Sequence, residues 1–510
     1  MAMKTDWVKS VVRRVSGFCS VATFFWFGVS VGSVDDSLYG DEPTNRMNVL
    51  LICVDDLKPL LGCYGDPLAK TPSIDRLASS GMLFRNAYCN QAVCSPSRNS
   101  LLTGLRPQTL GIYDLGTHFR KSRQDCITLP QLFKDAGYRA EGMGKIFHVG
   151  HGNVNDKLSW SLPHWNAKVV GYALPENKAS QGLTREEALF ENDNSKPIKS
   201  LPKGAAMERA DVDDQVYADG KLADRVLERL KYASEHPDER FFMAVGFVKP
   251  HLPFCAPSRY WDMHDPAKFE LAEIQTAPVG APDYAPTKWG ELRQYRGMPE
   301  TGAVEEKLQL ELIHGYYAAT SYMDAQVGKV LDALETNGLS ENTIVVLWGD
   351  HGWHLGDHGM WCKHSNYEQA AHIPLIVRVP GKESGEAQGM VETVDIYPTL
   401  AELAGIKITE ELDGRSFVKA IDEPSTVLRD HVIHVFPRGQ ILGRAIRTDR
   451  YRLVEWKKMG ADESKAEWEL YDYQEDPLEK RNLFGEAEQE IVAGLKQKLQ
   501  THPAPLPQIK

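Results

Sequence analysis

The chain has 510 residues, 42% hydrophobic and 25% charged, with a formal net charge of −12. That length suits one large domain with a smaller companion, because single cores stop growing at roughly 250–300 residues. The acidic balance excludes a general nucleic-acid surface, which needs a basic face, so an anionic ligand would have to meet positive charge gathered in a pocket.

Residues 1–33 read as a signal peptide. Lys4, Lys9, Arg13 and Arg14 precede the apolar run Val15 to Val31, and the small residues Gly32 and Ser33 follow. Export to the periplasm or beyond is the expectation. An uncleaved anchor is the alternative, since the run matches the shortest spanning helices, about 17 residues.

Four later apolar runs end abruptly in polar residues. Asn48 to Val54 leads to Asp55 and Asp56, and Tyr138 to Met143 leads to Lys145 and His148. Phe241 to Val248 leads to Lys249 and His251, and Thr343 to Trp348 leads to Asp350 and His351. Short runs rich in β-branched and aromatic residues read as buried strands of a mostly parallel sheet. Between them lie helical patterns at Thr71 to Ser80, Leu129 to Ala136 and Ala318 to Thr336, the first two stopped by Gly81 and Gly137. The alternation predicts a doubly wound α/β domain, whose ligands sit outside the carboxyl ends of the strands.

Residues 152–220 and 252–305 show no clear period and read as loops near the mouth of a site. Beyond 422–426 come two strand-like halves in Gly443 to Trp456, then Glu469 to Tyr473, then a helix from about Glu486 to Leu499. The expected division is therefore a catalytic domain at 46–422 and a small β-sheet-plus-helix subdomain at 426–510. Eight cysteines are present in no zinc-binding spacing, and their pairing does not follow from the sequence.

The segment Cys94-Ser-Pro-Ser-Arg98 continues through Leu102-Thr103-Gly104. It resembles the signature of the type I sulfatases. The likeness is nearest to the iduronate-2-sulfatase branch and runs from Asn48 to about Leu483. It implies an alkaline-phosphatase-like fold, a mostly parallel sheet sandwiched by helices with a small C-terminal antiparallel sheet. It also implies hydrolysis of sulfate esters, expected at the 2-O-sulfate of uronic acids in a sulfated glycan. Cys94 would be oxidised by a maturation enzyme to Cα-formylglycine, whose hydrated aldehyde carries two hydroxyls on one carbon. One attacks sulfur to give a covalent sulfo-enzyme, and the other collapses to the aldehyde and expels sulfate.

By the same resemblance Asp55, Asp56, Asp350 and His351, with residue 94, hold Ca²⁺ or, second, Mg²⁺; three carboxylates suit a hard cation. Paired aspartates after a strand can also cap a helix or line a solvated turn. Arg98, Lys145, Lys249 and Lys363 match positions that hold the nucleophile and the sulfate oxygens electrostatically. The Lys145-x-x-His148 spacing is that of the iduronate-type enzymes; His148 would take the proton of the second hydroxyl, and His251 would protonate the leaving alcohol. His354, Asp357, His358 and His364 read as loop-forming rather than as a second metal site. Two other functions fit the superfamily: a phosphonate or phosphate ester hydrolase, and a non-catalytic glycan-binding relative. Nothing in the sequence speaks to oligomeric state.

Overall fold

The computed structural model describes residues 47–167, 171–287 and 290–509, so the signal-peptide reading of 1–33 lies outside the described residues. Strands β1 (Asn48–Val54), β2 (Met82–Phe84), β3 (Arg139–Gly144), β4 (Phe241–Phe247), β5 (Thr343–Gly349), β6 (Leu375–Arg378) and β7 (Gly385–Ala387) form one sheet. Their order is β7-β2-β6-β5-β1-β4-β3. The block β3-β4-β1-β5 is parallel throughout, whereas β6 runs antiparallel to both neighbours.

Every residue of β1, β4 and β5 is buried, which is why these strands read as continuous apolar runs rather than alternating ones. Alternate side chains feed two different cores. Val49, Leu51 and Cys53 point into one, and Leu50, Ile52 and Val54 into the other. Helices α1 (Pro72–Ser79), α2 (Cys94–Thr103), α3 (Leu129–Asp135), α4 (Ala218–Glu235) and α5 (Glu306–Thr336) cover the sheet. The first core takes Leu101 of α2 and Phe133 of α3, and the second takes Leu77 of α1, Val226 of α4 and Val327 of α5.

Strands β8 (His431–Arg438), β9 (Ile441–Thr448), β10 (Tyr451–Lys458) and β11 (Glu467–Asp472) form a separate antiparallel sheet in sequence order. Helix α6 (Gln489–Gln500) packs Leu495 and Leu499 on Ile433, Ile446 and Leu453 of that sheet. Val435 N donates to Asn90 O at 2.9 Å, tying β8 to the segment before α2. The last residues run back the same way. Leu506 N donates to Gln108 O at 2.9 Å and Ile509 N to Gly111 O at 2.8 Å, while the Tyr113 hydroxyl donates to Leu506 O at 2.7 Å.

The α/β class, the parallel block and the C-terminal sheet with its helix agree with the sequence reading. Three details differ. Helix α5 starts at Glu306 rather than near Ala318; its added turns bury Leu312, Ile313, Tyr316 and Tyr317 in a further core, and from Leu312 to Asp324 only His314 is not buried, so amphipathic contrast is weak there. Strand β8 was not anticipated. The stretch 152–220 is not all loop: a helix at Arg185–Glu191 starts with a Thr184/Glu187 capping box, and Met207–Ala210 pairs with Phe254–Pro257. Among the described residues no helix is long and apolar enough to cross a membrane.

Gly246 ends the β4 register beside Gly144, and Lys145 N donates to Gly246 O at 2.9 Å. A Cβ at 246 would overlap the Lys145 backbone. Gly246→Ala is therefore expected to lower stability by about 1–3 kcal/mol, read from urea unfolding midpoints; an unchanged midpoint would show that β3 and β4 tolerate separation.

Candidate active site

The four parallel strands deliver their polar termini to one edge. Asp55 and Asp56 follow β1, Lys145 and His148 follow β3, Lys249 and His251 follow β4, and Asp350 and His351 follow β5. Register makes the acids neighbours. Val54 pairs with Gly349, Asp350 N donates to Val54 O at 3.0 Å, and Asp56 N donates to Asp350 Oδ1 at 3.0 Å. Asp56 itself has φ 57, a left-handed conformation that aspartate adopts more readily than most residues.

Cys94 is the first residue of α2, entered from extended Val93 and closed at Gly104, with φ 67. The whole helix is buried, and Ser97 Oγ anchors its first turn by donating to Asp350 O at 2.5 Å. The Cys94 Sγ lies 3.4 Å from His351 Nε2 and 3.7 Å from Lys145 Nζ. A helix start carries positive dipole, and Cys94 opens this one.

Cations interlock with the acids. Arg98 donates from Nε to Asp350 Oδ2 at 3.0 Å and from Nη2 to Asp55 Oδ1 at 3.2 Å. Lys145 Nζ pairs with Asp55 Oδ2. Lys363 Nζ reaches Asp56 Oδ1 at 3.1 Å and Glu291 Oε2 at 2.6 Å. His251 Nε2 stands 3.1 Å from Glu291 Oε1, and its Nδ1 donates to Leu252 O at 2.5 Å. Lys249 turns back on its own segment. Its Nζ donates to His251 O and Pro253 O at 2.9 and 2.6 Å, bracing its own turn, and its backbone N donates to Asp219 Oδ2 at 2.8 Å.

Charge states follow from these contacts. Burial opposes ionised Asp55, but Lys145, His251 and Arg98 outweigh it and hold the carboxyl well below its ordinary range. Burial, with Asp55 adding, lifts Asp350 to about 6. Burial, then Asp55, raises the Cys94 thiol. The two histidines are pushed apart: burial, Lys145 and His151 drive His148 well below its ordinary value. For His251, burial is overcome by Asp56 and Asp55, and the pKa rises to about 10. A neutral and a protonated imidazole in one pocket form a base and an acid.

Ligand atoms of Asp55, Cys94, Asp350 and His351 lie within 4.8 Å of one another, as do those of Asp55, Asp56, Cys94 and His251. Asp55 and Cys94 are common to both groups, while Asp350 and Asp56 fall in different ones; two buried carboxylates in each fit a hard divalent cation. Cys94, His148, His251 and Lys363 open on a cavity of ≈ 530 Å³ whose wall also carries Glu186, Glu291 and Arg438. Those three, and His151, escaped the sequence reading; each sits outside any motif, and Glu186, Glu291 and Arg438 reach the site only through chain closure. Burial, then Glu291, lifts Glu186 to about 7. His354 and His358 bond to Ser365 Oγ and Leu478 O, as loop-forming residues do. All seven cysteines among the described residues are free thiols.

A family model described as Sulfatase matches residues 47–406, and one described as N-sulphoglucosamine sulphohydrolase, C-terminal, matches 356–504. Iduronate 2-sulfatase of Homo sapiens is 32% identical over 545 aligned positions, covering 91% of this chain and 96% of its own. Among solved structures, the phosphonate monoester hydrolase of Agrobacterium radiobacter aligns with a TM-score of 0.70 at 22% identity, over 89% of this chain and 95% of its own. A protein in complex with its substrate D-glucosamine-2-N,6-O-disulfate aligns with a TM-score of 0.67 at 21% identity, over 89% of this chain and 97% of its own. At those identities the likeness shows the fold, which is alkaline-phosphatase-like.

Among the described residues Arg98 is the one cation shared by Asp55 and Asp350. Arg98→Met would leave two buried carboxylates short of a partner, and a loss of about 3–5 kcal/mol is expected in chemical unfolding. A loss below ~1 kcal/mol would mean that Lys145 and His351 neutralise the acids unaided.

Proposed function

Because the chain belongs to the sulfatase family and is a sulfuric ester hydrolase, we propose that it removes the 2-O-sulfate of uronic acid residues in a sulfated glycan, with Cys94 converted to Cα-formylglycine. One observation carries the reading: Cys94 opens α2 at the polar edge of the four strands, with Lys145 and His351 against its Sγ. A buried thiol with a raised pKa is a poor nucleophile, so position 94 suits a modified side chain better than a thiolate. As a hydrated aldehyde, residue 94 would supply one hydroxyl to attack sulfur and a second to release sulfate.

Asp55, Asp56, Asp350 and His351 would hold Ca²⁺, with Mg²⁺ the second choice; such an ion polarises a sulfate oxygen. Arg98, Lys145 and Lys363 surround residue 94 with fixed positive charge where anionic oxygens would lie. Lys249 serves the site by holding the turn that carries His251. Protonated His251 gives its Nε2 proton to the leaving sugar oxygen, and neutral His148 accepts one from residue 94. The kinship with human iduronate 2-sulfatase supports a uronate substrate. So does Arg438, a cation on the cavity wall whose guanidinium is held in place by the carbonyls of Tyr284, Ala285 and His364. Export through residues 1–33 and dependence on a maturation enzyme belong to the same proposal, as does a catalytic domain at 46–422 with a subdomain at 426–510.

The test is sulfate release from a 2-O-sulfated unsaturated uronate disaccharide, with an aryl sulfate and a phosphonate monoester run beside it. Turnover of the disaccharide should require Ca²⁺, fall to background in Cys94→Ala, and accompany loss of the thiol mass from the residue-94 peptide. Preferred turnover of the phosphonate ester would overturn the substrate assignment.

His251 is expected to matter in proportion to how poor the leaving group is. His251→Ala should lower kcat on the sugar sulfate by about 10²–10⁴-fold and barely change it on a nitrophenyl sulfate, whose phenolate leaves unaided. Equal losses on both substrates would remove His251 from the proton-donating role.

A further inference from the structure

We propose that His151 is a positioning residue for His148: a hydrogen bond between the two imidazoles fixes the His148 tautomer and leaves its lone pair on Nδ1. The inference rests on the reading of His148 as the base that releases sulfate from residue 94.

His148 Nε2 lies 3.1 Å from His151 Nδ1, with ring centroids 5.3 Å apart. His148 is 3% exposed, and its Nδ1 is buried with no hydrogen-bond partner among the described residues. Burial foremost keeps both rings neutral, with His151 lowered to about 4, so a single proton occupies the contact. Two arrangements satisfy it. If His151 donated, His148 would carry its own proton on Nδ1 and spend its Nε2 lone pair on that bond, leaving no atom to accept a proton. If His148 donates from Nε2, His151 keeps its proton on its own Nε2, and the atom left over is a lone pair. Only the second arrangement gives His148 an atom able to accept a proton.

The backbone is bent to make this contact. His151 has φ 54 between Gly150 at φ 118 and Gly152 at φ 88, a conformation disfavoured for a residue with a side chain. His151 N donates to Leu189 O at 2.9 Å, and Gly152 N donates to Asn192 Oδ1 at 2.6 Å. Phe190, on the same short helix, lies 6.2 and 5.8 Å from the rings of His148 and His151. The segment 185–192 thus clamps the strained turn over the base.

In the step served, residue 94 bears sulfate on one of its two geminal oxygens. Nδ1 of His148 takes the proton of the other hydroxyl, and that O–H pair becomes the carbonyl π bond. The bond from carbon to the sulfate oxygen breaks, sulfate leaves with the pair, and water later rehydrates the aldehyde. No oxidant or reductant is needed.

The test compares His151→Ala with His151→Asn, since asparagine tolerates a positive φ and keeps an acceptor oxygen close to the Nδ1 position. The alanine variant is expected to lose about 10–100-fold in kcat, as orienting partners typically do, with KM nearly unchanged. The residue-94 peptide should then accumulate the mass of one SO₃ group during turnover, and asparagine should recover most of the rate. Independently of activity, long-range ¹H–¹⁵N spectra of histidine-labelled protein, assigned with His148→Gln, should show His148 protonated at Nε2 and bare at Nδ1. A proton on Nδ1, or wild-type kcat in His151→Ala, would overturn the proposal. So would a loss of stability and rate without sulfated peptide or asparagine rescue, which marks a merely structural residue. If the wild type turns over no sulfate ester, the reading of His148 falls, and the spectrum still decides the tautomer.

Discussion

Burying charge is the constraint on which this structure turns. Asp55, Asp56, Asp350 and Arg98 are each 0% exposed, and an isolated ion in such a place costs several kcal/mol. The molecule meets that cost by sharing partners: Arg98 spans Asp55 and Asp350, while Lys363 spans Asp56 and Glu291. The acids come from strand ends, the cations from α2 and from loops. Sheet register therefore decides electrostatics as well as packing. A one-residue slip of β5 against β1 would turn alternate side chains into the wrong core and separate Asp350 from Asp56.

The same arrangement explains the opposite protonation of the two histidines. His251 stands among carboxylates, and His148 stands beside Lys145 and His151. Neither state is intrinsic to a histidine: carboxylates outweigh burial at His251, whereas burial foremost, then Lys145 and His151, keeps His148 neutral. The floor of the cavity is thus a balanced lattice of fixed charges, while its wall mixes Glu186, Glu291 and Arg438. A sugar ring offers both anionic groups and hydroxyls, and a wall of mixed sign can address both.

Much of this was legible in the sequence because burial on both faces writes itself as an uninterrupted apolar run, and the residue after the run is then conspicuous. Asp55, Lys145, Lys249 and Asp350 were found that way, and Cys94 by its neighbours through Gly104. What escaped has a common cause. From Leu312 to Asp324 every residue of α5 but His314 is buried, so that stretch carries little amphipathic contrast. Glu291 and His151 owe their places to partners 40 and 3 residues away on different turns of irregular chain, and no periodicity reports such contacts. Lys249 follows β4, where the end of an apolar run makes it conspicuous, but the direction of its head depends on two carbonyls of its own turn. Strand β8 completes a sheet whose other members were read, and only pairing with β9 reveals it.

The tail from Leu506 to Ile509, bonded to Gln108, Gly111 and Tyr113, sets the order of events during synthesis. Tyr113 and its neighbours wall the cavity, and β8 brings Arg438 to the same wall. Both depend on chain made hundreds of residues after Cys94. A ribosome adds about 5–20 residues per second, so the pocket stays unroofed for tens of seconds after Cys94 has emerged. A maturation enzyme of the kind proposed above would have that interval in which to reach a side chain that is 2% exposed once folding is complete.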